Sequence, residues 1–311
     1  MNDAPTDGSG GKARMRCTVL GLGSMGGGMA SSLLRAGFPV SGFDVNQAAC
    51  ARFAAQGVAI GGTPGEAAQG AECVIAVVVN ADQTEQVLFG ETGCAATMAP
   101  GGVFVSSATM APDRARALAA RLEESGRHYL DAPMSGGAAR AADGQLTMLA
   151  SGTREAFDRA RPALDAMTGT LYELGDQAGQ GAAFKMVNQL LAGVHIAAAC
   201  EAMAFAARQG LDLARVYEVI TKSAGNSWMF ENRMPHVLDG DYTPRSAVDI
   251  FTKDLGIVLD MARADRFPVP VAGAALQMYL MTAAAGMGKD DDSSVARLYA
   301  QIAGLTLPGR E

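Results

Sequence analysis

The most constraining feature of the chain lies near its start. Gly21-Leu22-Gly23-Ser24-Met25-Gly26 is a GxGxxG hexapeptide. It follows the apolar run 17–20 and opens a segment in which Met25, Met29 and Leu33 recur every four residues until Gly37. Three glycines at this spacing serve a strand-to-helix turn. One makes the turn tight, one lets backbone approach a pyrophosphate, and one lets helix and strand touch. The positive end of the helix then faces the anion. Alone the pattern is weak; its place between a strand and a helix gives it weight. A second strand, 40–43, ends at Asp44, 21 residues beyond Gly23. A carboxylate there accepts hydrogen bonds from ribose hydroxyls and repels a 2′-phosphate. Neither Val45 nor Asn46 is basic. The expected cofactor is therefore NAD and not NADP.

The alternation continues along the first half. Residues 47–56 read as a helix, and Thr63-Pro64 followed by Glu66 as a helix start. Residues 73–79 form a continuous β-rich run, the pattern of a strand buried on both faces. Strands at 103–107 and 128–132 flank a helix at 112–124, and strands at 146–150 and 171–174 flank a helix at 155–167. Strands alternating with helices imply parallel βαβ units. Beyond Gly179 the strand pattern stops. Residues 181–209 are one run of helix formers, and further helices are expected at 211–222, 247–263, 271–285 and 292–305. The expected fold class is α/β: a doubly wound N-terminal Rossmann sheet followed by an all-α domain. The boundaries are a flexible tail at 1–14, an NAD-binding domain at 15–178 and an all-helical substrate and oligomerisation domain at 179–311.

Composition narrows the partners. A length of 311 residues suits two domains. With 49% hydrophobic and 18% charged residues, wholesale disorder is excluded. A net charge of −7 provides no global basic field for nucleic acid. Five widely spaced cysteines without CxxC, and three histidines without HxxxH, favour neither a disulfide framework nor a metal site. They suit a reducing cytoplasm. The N-terminal segment lacks the apolar core of a signal peptide. The apolar stretches 190–199 and 271–286 are interrupted by Gly, His or Gln and read as buried helices, not membrane spans.

Candidate chemistry sits in the middle of the chain. Ser135, Gly136 and Gly137 end the run Asp131-Ala132-Pro133-Met134-Ser135-Gly136-Gly137, which follows a strand. Loops at strand C-termini line the ligand crevice of an open sheet. A hydroxyl and two glycine amides there suit a small carboxylate. Lys185, Asn188 and Gln189 stand at i, i+3 and i+4 of the long helix, on one face. A lysine on an Ala/Leu-rich, buried helix is expensive to carry. Burial and a nearby helix N-terminus would both lower its pKa toward the working range of a general base. Lys253-Asp254, read alone, is a solvated charge pair on a helix. Phe230 is expected in the core, Trp228 at the crevice wall, and His195 as a satisfied core histidine.

Five motifs then occur in order: GLGSMG, the 106–112 loop SSATMAP, DAPMSGG, GQGAAFKMVNQ and FTKDLG. By these the chain resembles the β-hydroxyacid dehydrogenases, the family of 3-hydroxyisobutyrate dehydrogenase and tartronate semialdehyde reductase, over nearly all of its length after the tail. The resemblance implies NAD-dependent oxidation of a small hydroxy acid with Lys185 as acid/base. It implies substrate carboxylate on Ser135, Gly136 and Gly137, with Asn188 and Gln189 on substrate hydroxyls. It places Thr109 against the cofactor and Lys253 by the nicotinamide, with Val79 and Asn80 also on the cofactor side. Many members carry two consecutive Asn where this chain has Asn188-Gln189. The stretches 189–207 and 224–256 are similar to the branch that oxidises a four-carbon sugar acid at C2 to a 2-oxo acid. The alternatives are tartronate semialdehyde reduction, 3-hydroxyisobutyrate oxidation and nucleotide binding without chemistry. A homodimer or homotetramer is implied; no metal, membrane or nucleic-acid partner is expected.

Overall fold

Short apolar runs buried on both faces alternate with capped helices through the first half of the chain. The computed structural model describes residues 14–308. Apart from Arg14, the expected N-terminal tail lies outside the described residues. Contacts divide the chain into two compact units. Of the described residues, the first holds those up to Ala108 together with Ala117–Ala178; the second holds Thr109–Arg116 and those from Gly179 to Pro308.

The first unit is built from β1 (Cys17–Leu20), α1 (Ser24–Arg35), β2 (Val40–Phe43), α2 (Gln47–Ala54), β3 (Ala59–Ile60), α3 (Pro64–Ala67), β4 (Cys73–Ala76), α4 (Ala81–Phe89), β5 (Val103–Ser106), α5 (Pro112–Glu123, whose first residues belong to the second unit) and β6 (His128–Asp131). Six strands form one sheet in the order β3-β2-β1-β4-β5-β6, every pair parallel. Leu20 lies opposite both Phe43 and Ala76. All residues of β1, β4 and β5 are buried, which is why these strands read as unbroken apolar runs. Phe104 and Tyr129 stack across β5 and β6 with ring centroids 5.8 Å apart. Asn46, Thr63 and Asn80 each accept a backbone N–H at the start of α2, α3 and α4. The strand order reverses between β1 and β4, so the loops after these two strands open at the switch point of the sheet.

The alternation does not extend this sheet beyond β6, as the sequence reading supposed. β7 (Met134–Ser135), α6 (Gly137–Ala142), β8 (Leu146–Ala150), α7 (Arg154–Met167) and β9 (Thr168–Glu173) follow, and the three strands make a separate sheet. β7 runs antiparallel to β8, and β8 parallel to β9. The reason is the connection after β6. Only Ala132-Pro133 separates β6 from β7, whereas a parallel neighbour needs a crossover of about a dozen residues. β4 is also shorter than the run 73–79: Val77 N still donates to Leu20 O, and the chain then turns toward the Asn80 cap.

The second unit contains α8 (Gln180–Arg208), α9 (Leu213–Ile220), α10 (Trp228–Asp239), α11 (Val248–Ala264), α12 (Pro270–Thr282), a π turn, a 3-10 turn and α13 (Val295–Ala303). At 1.5 Å per residue α8 is about 43 Å long. It is long and apolar enough to cross a membrane, but α10, α11, α12 and α13 pack against it. Its buried residues Ile196, Cys200 and Met203 form a core with Met234, Phe251 and Tyr279. Each such large side chain contributes about 1.5–3 kcal/mol by burial. Tyr279 stacks on Phe251 and donates to Gly193 O at 3.0 Å. α10 escaped the sequence reading because Pro235 interrupts it; Ser227 caps its start. Phe230 is in this core, stacked on Tyr217, whereas Trp228 is exposed. His195 is half-buried on α8 and not a core histidine. All five cysteines are buried and free.

Candidate active site

In the first unit the predicted cofactor residues gather at one edge of the sheet, where β1, β2 and β4 end. The three glycines have distinct jobs. Gly21 adopts φ +96°, and a Cβ there would lie 2.4 Å from Val77 O. A Cβ at Gly26 would lie 1.8 Å from Gly21 O, so helix and strand can meet only without it. A Cβ at Gly23 would meet nothing within 4 Å. That glycine serves neither strain nor packing, and keeps its side of the turn open. Gly23 is the N-cap of α1, with Ser24, Met25 and Gly26 in the first turn; no side chain caps that end and no acidic residue lies in it. The α1 N-terminus therefore keeps its donors and its partial positive charge. Asp44 Oδ2 accepts from Leu22 N at 2.6 Å, and Oδ1 accepts from Asn46 N at 2.7 Å. These two bonds fix the carboxylate beside the glycine turn and leave lone pairs on both oxygens. A glycine turn, an uncapped helix end and an oriented carboxylate fit a dinucleotide. After β4, Val79 N donates to Gln83 Oε1, and Asn80 Oδ1 caps α4 through Gln83 N, both at 2.9 Å.

Ser135 ends β7, in the three-stranded sheet. Gly136 (φ +136°) and Gly137 (φ +77°) lead into α6, whose first turn has no side-chain cap. Both glycines hold backbone that a residue with a Cβ rarely adopts.

The second unit brings Lys185, Asn188, Gln189 and Lys253 together. Gly179 (φ +99°) starts α8; a Cβ there would lie 2.9 Å from Pro112 O. Lys185 is 8% exposed and Gln189 7%. Burial pushes the Lys185 ammonium down to about 8; the Asp254 carboxylate opposes this shift and the Lys253 cation adds to it. Lys253 Nζ pairs with Asp254 Oδ1 at 2.7 Å and reaches Thr109 O at 3.5 Å. Gln189 Nε2 donates to Asp254 Oδ2, and Asn188 Nδ2 donates to Gln189 Oε1 at 3.0 Å. A buried amine of lowered basicity, flanked by amides and a second cation, is equipped to exchange a proton with an alcohol.

Comparison with known proteins decides the family. The model for the NAD binding domain of 6-phosphogluconate dehydrogenase matches residues 16–175. A second, for NAD-binding of NADP-dependent 3-hydroxyisobutyrate dehydrogenase, matches residues 179–299. The chain is 54% identical to the L-threonate dehydrogenase of Cupriavidus necator, over 94% of this chain and 97% of that one. It is 50% identical to that of Escherichia coli, over 94% and 96%. The chain belongs to the β-hydroxyacid dehydrogenase family. A solved β-hydroxyacid dehydrogenase, 3-hydroxyisobutyrate dehydrogenase from Salmonella typhimurium, superposes with a TM-score of 0.87 at 50% identity, over 92% of this chain and all of that one. As a β-hydroxyacid dehydrogenase, the chain is an NAD-dependent oxidoreductase.

Sequence reading missed one member of this β-hydroxyacid dehydrogenase cluster. Asp254 is 1% exposed, not half of a solvated pair. The signal was present: Asp254 falls in the stripe of Phe251, Leu255 and Val258 that buries one face of α11. Ser135, Gly136 and Gly137 belong to the first unit and the lysine cluster to the second.

Proposed function

We propose that this NAD-dependent hydroxyacid dehydrogenase oxidises L-threonate at C2 to the 2-oxo acid. The observation that carries the chemistry is the buried amine of Lys185, lowered to about 8. The substrate follows from the relatives at 54% and 50% identity. Gly21, Leu22, Gly23, Ser24, Met25 and Gly26 would hold the cofactor pyrophosphate and Asp44 its adenine ribose, with Val79, Asn80 and Thr109 completing the set. NAD, when bound, supplies the hydride acceptor. Neutral Lys185 takes the proton of the C2 hydroxyl as the C2–H bond breaks. Asn188 meets a neighbouring hydroxyl, with Gln189 beside it. Ser135 and the amides of Gly136 and Gly137 bind the carboxylate. Lys253 adds positive charge for an anionic substrate, which a chain of net charge −7 must attract locally.

A panel of L-threonate, D-erythronate, D-glycerate and 3-hydroxyisobutyrate with NAD⁺, followed by absorbance of the reduced nicotinamide, tests the assignment. The highest kcat/KM is expected for L-threonate. A preference for 3-hydroxyisobutyrate would favour the second reading, for which the Salmonella typhimurium neighbour speaks. No turnover of any hydroxy acid would leave only nucleotide binding. The same reading makes the protein a cytoplasmic homo-oligomer, in keeping with free cysteines. Phe184, Val187, Leu191 and Phe205 also lie exposed along one stripe of α8.

A further inference from the structure

We infer that Gln189 is a positioning residue that fixes which way the Asn188 amide faces, and so makes the enzyme select a substrate hydroxyl next to the reacting carbon. The inference rests on the proposed function and assigns one part of its specificity.

Asp254 sets the direction of the chain of amides. Its buried carboxylate is paired with Lys253 at 2.7 Å. An ionised carboxylate only accepts hydrogen bonds. The Gln189 amide lies next to it, so its NH₂ end must face Asp254, as observed. The carbonyl end of Gln189 then points the other way, where it accepts from Asn188 Nδ2 at 3.0 Å. Asn188 is oriented in turn. Its NH₂ is engaged by Gln189, and its Oδ1 takes no hydrogen bond from a described residue. Reversing Gln189 would set a carbonyl against a carboxylate. Reversing Asn188 would set two carbonyls against each other. Both amides are therefore locked by one anion, and the lock is directional.

Three consequences follow for specificity. Gln189, 7% exposed, acts behind Asn188 and not on the substrate. Asn188 presents an acceptor, whose proper partner is a donor such as a hydroxyl and not a methyl group. The extra methylene of glutamine is what spans the gap. An asparagine at 189 would draw the amide back by about 1.5 Å, one carbon–carbon bond. The Asp254 contact would then pass out of hydrogen-bond range.

The test compares kcat/KM for L-threonate with that for 2,4-dihydroxybutyrate, which has hydrogen in place of the C3 hydroxyl. Wild type is expected to favour L-threonate by about tenfold or more, the discrimination of one good hydrogen bond. In Gln189→Leu and Gln189→Asn the ratio should collapse toward one. Gln189→Glu should fail likewise, because two carboxylates then face each other. Combining Gln189→Glu with Asp254→Asn exchanges the two groups. The amide introduced at position 254 then donates to the carboxylate introduced at position 189, which still accepts from Asn188; the ratio should recover. A structural defect would lower both substrates together and would not be cured by the exchange. A wild-type ratio in Gln189→Leu, or an exchange variant as unselective as Gln189→Glu, overturns the inference while the dehydrogenase reading stands. A wild type inert toward every hydroxy acid overturns both.

Discussion

Lys185 is held in a place that resists its charge. Its pKa in the folded protein, about 8, lies below the ordinary 10.5. Below pH 8 the amine is protonated and cannot accept the substrate proton. The kcat/KM for oxidation should therefore rise about tenfold per unit up to pH 8 and level above it. Lys253→Ala removes a cation that lowers this pKa, so the limb should move to higher pH. Asp254→Asn removes the anion that raises it, so the limb should move to lower pH. Pre-steady-state or steady-state pH profiles read both directions. The same shift governs stability. Between pH 8 and 10.5 the unfolded chain holds more protons than the folded one, so stability rises with pH across that window. At pH 7 the lowered pKa corresponds to about 3 kcal/mol. Lys185→Met should stabilise the fold by that order below pH 8, an advantage that fades between pH 8 and 10.5, as urea midpoints at several pH values would show. Its turnover should fall by about 10²–10⁴ with NAD binding retained. Near-normal turnover would refute the role. At the other end, Asp44→Ala should weaken NAD and narrow its advantage over NADP; unchanged cofactor preference would mean that Asp44 does not meet the ribose.

At the scale of elements, the glycine turn separates folding from binding. Gly26→Ala forces a methyl onto Gly21 O and should cost at least about 1–3 kcal/mol. Gly23→Ala meets nothing, so its Tm should match wild type while its NAD affinity falls; titration calorimetry beside thermal melts distinguishes the two. This turn was readable from sequence because the chemistry dictates glycine at fixed offsets. The Thr63-Pro64 helix start and the doubly buried β4 were readable for similar local reasons. What was not legible depends on distant partners. Nothing around Leu146–Ala150 says that β8 leaves the main sheet; a two-residue link after β6 decides it. Pro235 concealed α10, whose Ser227 cap and packed Phe230 outweigh one lost hydrogen bond. Lys185 was singled out from its apolar neighbours, but Asp254 was passed over beside Lys253, because a charged dipeptide looks solvated until its helix face is known. The orientation of Asn188 follows only from that buried carboxylate.

For the whole molecule, the exposed stripe on α8 makes association testable. Phe205 is 65% exposed, and Val187 63%. Such a row is covered by a second copy in the proposed homo-oligomer. Sedimentation velocity should show a dimer or tetramer, and Phe205→Asp should shift it toward monomer; a wild-type monomer would dismiss the assembly. The division of the chain carries a different lesson. Thr109–Arg116 sits between two stretches of the first unit in sequence yet packs with the helical one. Recombination at the Ala178–Gly179 junction, the obvious seam for grafting this catalytic half onto a foreign dinucleotide module, would leave that octapeptide behind. A working chimera must transplant two pieces of polypeptide, and a single-crossover library should yield hybrids in which Lys253 has lost the Thr109 carbonyl that it now reaches.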